Sequence, residues 1–385
     1  MSEISPVTFK SACVISDNLV YLSASLDNLD DDSEYSRCIL FDYNEGLKKG
    51  WYYHDLEFDV VSVCYNNNED NKKIFSMSNE GHLEEFDGVD GKLSFIEGSG
   101  LNEDWSLGKG YLFTIKSINK DIFATGYDSQ IFRYIDNKWV LINKGLNTDV
   151  ESKIDFSNIE LTKDEQDISV IDICGRHSNE YFCVGRIGES GLIAHYDGNQ
   201  WNLMDRKTPA TLYSSLLLKS GEILISGIQG NLLLVKEDNS IQRLTDLKFS
   251  SDFYSLTEFN GDIYIGSSEG IYIYSNQKLN KINISTQIDE NLVFKVATTS
   301  SCLWAFTNKF ILRFAGVKWE IINHPDNQAK DESIFSVKAG EKCPQNGFWF
   351  TVAQENSRQY FKQGEALPNV ISDWGEVYWQ FDSEE

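Results

Sequence analysis

Apolar and polar positions alternate over short runs along this chain, most plainly between residues 253 and 283, FYSLTEFNGDIYIGSSEGIYIYSNQKLNKIN. Four strands follow from the pattern, at 253–259, 262–267, 270–274 and 279–282, because each run is rich in aromatic and β-branched residues and ends in Asn, Gly, Ser or Glu. Asn260-Gly261 supplies the two positive-φ residues of a tight hairpin, and a second reversal closes at Gly270. The result is an antiparallel meander that cannot cover both of its apolar faces alone, so further copies are expected.

Related second strands recur at 19–23, 73–77, 122–126, 181–185, 223–227, 263–267, 303–307 and 348–352. Their spacing of roughly 40–60 residues is that of propeller blades. A third strand follows each, and three of the fourth strands carry a tryptophan in the same place: Trp139, Trp201 and Trp319. Equivalent positions in outer strands predict packing between adjacent blades rather than a sugar-stacking platform. Eight four-stranded units are counted, of which the first and last diverge most. Seven blades result if one terminal unit is irregular, and the ring closes by sharing strands if its two ends interleave. The expectation is all-β, a single propeller domain over 1–385 with irregular acidic insertions at 25–36 and 143–167, since closure removes exposed sheet edges.

Charge narrows the function classes. The 385 residues hold 59 acidic and 34 basic side chains, a net charge of −25. Such a field repels phosphate backbones and anionic headgroups, so neither nucleic acid nor membrane is an expected partner, whereas a basic protein fits the sign. The N-terminal residues show no basic segment followed by an apolar core, and no run is long and apolar enough to span a bilayer; the expectation is a soluble cytoplasmic protein, monomeric when unbound. Seven scattered cysteines without a C-x-x-C pair read as reduced core residues.

Candidate chemistry is sparse. The five histidines, His54, His82, His177, His195 and His324, have no metal-ligand spacing, so a metal would have to be assembled from different blades; no catalytic residue, cofactor or metal is assigned. Nucleophile-elbow, phosphate-loop and zincin motifs are missing. Arg176, His177 and Arg186 put two cations near one end of the fourth unit, or else form ordinary ion pairs. The acidic loops remain. Asp30, Asp31, Asp32 and Glu34 in the first insertion, and Asp149, Glu151, Asp155, Asp164 and Glu165 in the second, are the candidate partner-binding residues, together with Trp105 in the linker 99–110; the plain alternative is solvated loop.

The turn at 195–201, HYDGNQW, resembles the blade turns of bacterial propellers of the WD40/YVTN/BNR-like kind, although the Gly-His and Trp-Asp pairs of true WD40 repeats and an intact sialidase Asp-box do not recur. That resemblance implies the fold over nearly the whole chain and leaves function open, since propellers host unrelated activities. In style, an acidic propeller of this sort is also similar to the immunity proteins encoded beside bacterial polymorphic toxins. The leading expectation is a non-enzymatic binding protein that neutralises a basic toxin domain through its acidic surface. Two alternatives stand beside it: an enzyme or lectin holding a glycan or small polar ligand in the central funnel, and a scaffold subunit of a larger complex.

Overall fold

The computed structural model describes residues 5–30, 33–68, 72–146, 167–205, 208–245, 249–284, 286–327, 336–351, 353–354, 357–370 and 377–383. They divide into two compact units, Met1–His324 and Pro325–Glu385.

In the first unit, seven four-stranded antiparallel sheets follow one another at 7–56, 60–95, 112–141, 168–203, 212–243, 253–281 and 293–323, each with its strands in sequence order. The local cause is turn chemistry. Asn260 and Gly261 take φ of 53° and 86°, as the hairpin requires, and Asp136-Asn137 and Asn276-Gln277 make the equivalent left-handed pairs elsewhere. The first strands of successive sheets, Val7–Ser16, Val60–Asn66, Leu112–Ile118, Ile168–His177, Leu212–Leu217, Phe253–Phe259 and Val293–Thr298, touch in order, and the last touches the first. They are therefore innermost, and the seven sheets close a ring. Sheets one and seven each keep four strands of their own, so closure rests on packing: Phe9 and Phe41 meet Trp304 and Phe306 in one buried cluster, and the Phe9 N–H donates to Asn308 O at 2.8 Å.

A bulge recurs near the start of every inner strand, with register shifts at 9/11, 60/62, 112/114, 170/172, 212/214, 253/255 and 293/295. Each bulge turns the following side chain sideways. Ser11 Oγ accepts from Val63 N at 3.1 Å, Ser62 Oγ from Ile115 N at 3.0 Å, Asp172 Oδ2 from Ser215 N at 2.7 Å and Ser255 Oγ from Val296 N at 3.1 Å, while Thr114 Oγ1 donates to Ile171 O at 2.8 Å. One sheet is thus stitched to the next by the same polar device. In sheets three, four and five glycine stands where the second strand faces the bulge: a Cβ on Gly185 would lie 1.9 Å from Ser169 O.

The outer tryptophans pack between sheets. Trp201 is fully buried where sheet three meets sheet four and donates Nε1–H to Ile142 O at 2.6 Å; Trp139 and Trp319 cover the clusters between sheets two and three and between six and seven. All seven cysteines are free and buried.

The second unit holds the eighth sheet, Ser336–Lys338, Gly347–Phe350, Gln359–Phe361 and Tyr378–Ser383, in the order first, fourth, second, third, around Trp349, Phe361, Leu367 and Trp379. Among the described residues no helix is long and apolar enough to cross a membrane.

Candidate functional site: one acidic face and a polar axis

Strand direction decides where the loops go. With four antiparallel strands per sheet and every first strand innermost, the second-to-third and fourth-to-first connections emerge on one face of the ring, and the other connections on the opposite face. Hydrogen bonds agree: Asn308 of a second-to-third turn meets Phe9 at the start of an inner strand, and Ser129 N likewise donates to Ile168 O at 3.0 Å. The connection at 27–35, the linker holding Trp105 and the ends of the 142–167 connection therefore share a face. Among the described residues, the connections of that face in the first unit carry a net charge near −14, against about −2 for the opposite face.

Asp30 and Glu34 are exposed. A cleft of about 480 Å³ opens beside them, lined by Lys10, Asp27, Asp30, Ser33, Tyr35 and Lys309. Both of its cations are already paired, Lys10 with Asp59 at 2.6 Å and Lys309 with Asp27, so they do not relieve the negative field. Asp31, Asp32, Asp149, Glu151, Asp155, Asp164 and Glu165 lie outside the described residues. Trp105 is less available than its linker position predicts: it stacks on Phe95 at 4.4 Å, meets the His82 ring edge-on at 5.0 Å, and donates Nε1–H to Glu80 O at 3.4 Å.

Arg176 and Arg186 do not come together. Antiparallel pairing carries Arg186 to the end of its strand opposite Ser169, where it binds Asp167 at 3.1 Å, whereas Arg176 sits at the other end, bonded to Glu180, Asn239 and the carbonyls of Gly221 and Lys236. The cation pair is replaced by two structural pairs.

Near the ring axis lies a cluster that linear motif reading missed. Lys116 of sheet three donates to both oxygens of Asp172 in sheet four, at 2.8 and 2.9 Å, and to Ser215 O in sheet five at 3.2 Å. Lys295 occupies the post-bulge position of sheet seven, where the other sheets place hydroxyls or a carboxylate. Burial pulls its ammonium below the ordinary lysine value, and the charge of Lys116 acts in the same direction, against the opposing pull of Asp172. Aligning the seven inner strands on their bulges would have exposed this odd residue. At the opposite face a second cleft, about 510 Å³, is bounded by Val14–Asp17 segments and Thr299; Asp17 is held below the usual carboxylate range by the hydroxyls of Ser301 and Thr299.

Solved structures with a similar arrangement include propellers. YCF48 bound to a D1 peptide aligns with a TM-score of 0.56 at 13% identity, covering 81% of this chain and 92% of that one. A catalytically inactive virginiamycin B lyase from Staphylococcus aureus with quinupristin aligns at 0.55 and 11%, covering 80% and 94%, and the WD40 propeller domain of Doa1 at 0.54 and 11%, covering 79% and 91%. The fold is a β-propeller. At these identities the likeness concerns the fold alone. In sequence, the chain is similar to the Pseudomonas aeruginosa protein named immune protein Tsi7, 24% identical over 217 residues, which is 56% of this chain. The match spans 65% of that relative, less than two thirds of its length. No family model matches the chain.

Proposed function

We propose that this propeller is a non-catalytic binding protein that neutralises a basic, toxin-type protein partner on its acidic face. The observation that carries the reading is the uneven charge: among the described residues one set of connections is near −14 and the other near −2, on a ring whose cations at the first acidic loop are already paired. Opposite charge on the partner would accelerate the encounter, and exposed apolar side chains on the loops would supply short-range affinity. The similarity to a protein named as an immune protein supports the reading. It includes a cytoplasmic protein, monomeric until the partner arrives, and Asp30, Asp31, Asp32, Glu34, Asp149, Glu151, Asp155, Asp164 and Glu165 as the binding carboxylates. The test is co-expression: the tagged chain should recover one stoichiometric basic protein and suppress its toxicity, and recovery of the chain alone would contradict it.

A second reading has one observation in its favour. Lys295 adds one cation beside the Lys116–Asp172 pair near the axis, a charge suited to a small anionic ligand in the funnel. Equilibrium dialysis with dicarboxylates and phosphates, comparing wild type with Lys295→Met, tests it.

A further inference from the structure

Between sheets one and two, just below the acidic face, five polar side chains converge. Cys38 stands directly opposite His54 across its strand pair, and Tyr21 shares that face because it stands opposite Leu40, two residues from Cys38. From the neighbouring sheet, Ser76 and Glu84 stand opposite one another and point back. Tyr21, Cys38, Ser76 and Glu84 are buried, and His54 is about a third exposed at 30%. His54 Nε2 lies 3.0 Å from Glu84 Oε2 and 3.5 Å from the Tyr21 hydroxyl, which is 3.1 Å from Ser76 Oγ. The ligand atoms of Cys38, His54 and Glu84 all lie within 4.8 Å of one another.

We propose that Cys38, His54 and Glu84 bind one zinc ion, tying the first sheet to the second directly beneath the acidic loop. Thiolate, imidazole and carboxylate are zinc's three protein ligand types, and a thiolate–imidazole pair selects it over calcium or magnesium. Tetrahedral ligation at bond lengths of about 2.0–2.3 Å sets ligand atoms roughly 3.3–3.6 Å apart, within side-chain movements on the order of 1 Å of the arrangement here. Charge favours it as well. A buried carboxylate is costly unless compensated, and Zn²⁺ with one carboxylate, one thiolate and one neutral imidazole sums to zero. On binding, the S–H bond breaks, the sulfur keeps the electron pair as the ligand, and the proton leaves to solvent past the partly exposed imidazole. Tyr21 Oη, 3.5 Å from His54 Nε2, is the next oxygen at the site.

The test is cobalt and zinc titration of the metal-free full-length chain. One equivalent of Co²⁺ should give the visible bands of a tetrahedral site together with a thiolate-to-cobalt charge-transfer band; Cys38→Ser should abolish the latter, while Cys302→Ser, buried elsewhere, keeps it. Competition with zinc should show His54→Ala and Glu84→Gln weakened more than about a hundredfold, beyond what changes around a ligand produce. Zinc should raise the melting temperature of wild type and leave Cys38→Ser unmoved. A wild type without the charge-transfer band overturns the proposal, as does a band that survives Cys38→Ser or equal zinc stabilisation of both proteins.

Discussion

Asp172→Asn separates structure from ligand binding at the axis. The carboxylate is 6% exposed and accepts four hydrogen bonds, from Lys116 Nζ at 2.8 and 2.9 Å, Ser215 N at 2.7 Å and Ser215 Oγ at 3.0 Å. Asparagine keeps the shape and one acceptor for Ser215 N but turns an amide or a neutral oxygen toward the ammonium. Breaking a buried ion pair on one side costs about 3–5 kcal/mol. Lys116 is 29% exposed, so water recovers part of the loss and about 2–3 kcal/mol remains. At roughly 2 °C per kcal/mol for a ring of this size, melting should fall by about 4–6 °C. Adding Lys116→Met removes the stranded cation near Lys295 and should restore more than half of the loss. The assay is thermal and urea unfolding of the two single variants and the double. A neutral or stabilising Asp172→Asn would refute the structural reading, because a carboxylate held against the stability of the ring is the mark of a ligand site.

Other outcomes follow from the same geometry. Phe9→Ala, in the cluster where sheet one meets sheet seven, should destabilise by about 3–5 kcal/mol in urea unfolding, since closure rests on packing and no shared strand compensates. Burial raises the thiols of Cys13, Cys64, Cys174 and Cys183 above the ordinary 9.0. A raised acid stays protonated in the fold while the unfolded chain ionises, so stability is complete below pH 9 and declines above it by about 1.4 kcal/mol per pH unit for each such thiol. Melting scans at pH 8 and 10 check this, and Cys13→Ala should lessen the decline. Asp30→Lys with Glu34→Lys changes the acidic face by four charges of about fourteen; if steering contributes a hundred- to a thousandfold, association with the captured partner should slow by about four- to sevenfold at low salt and converge with wild type at high salt.

The repeat was legible because the blades reuse a short code: alternating apolar runs in each, left-handed turns such as Asn260-Gly261 and Asp136-Asn137, and the tryptophans Trp139, Trp201 and Trp319 on three of the outer strands. Trp201 and the turn at Asn260-Gly261 stand where that code predicts. Strand counting also found the eighth sheet, but not that Tyr378–Ser383 enters between its first and second strands, because pairing order is decided by contacts far apart in sequence. Arg176 and Arg186 form the ordinary ion pairs expected of them, with Glu180 and Asp167, because antiparallel direction carries Arg186 to the far end from Arg176. The Cys38–His54–Glu84 cluster escaped because its members come from three strands in two sheets, and only cross-strand register brings them together. Lys295 reads as an ordinary lysine until the inner strands are superposed on their bulges.

The central claim, that one acidic face receives a basic protein, is tested most directly by capture from the native cell at low and moderate salt, using wild type and a chain reversed at Asp30, Asp31, Asp32 and Glu34. The account expects a single basic partner, bound stoichiometrically by wild type, weakened by salt and by the reversal, and harmful to cells when expressed without this chain. Equal capture by both proteins at both salt concentrations would contradict it.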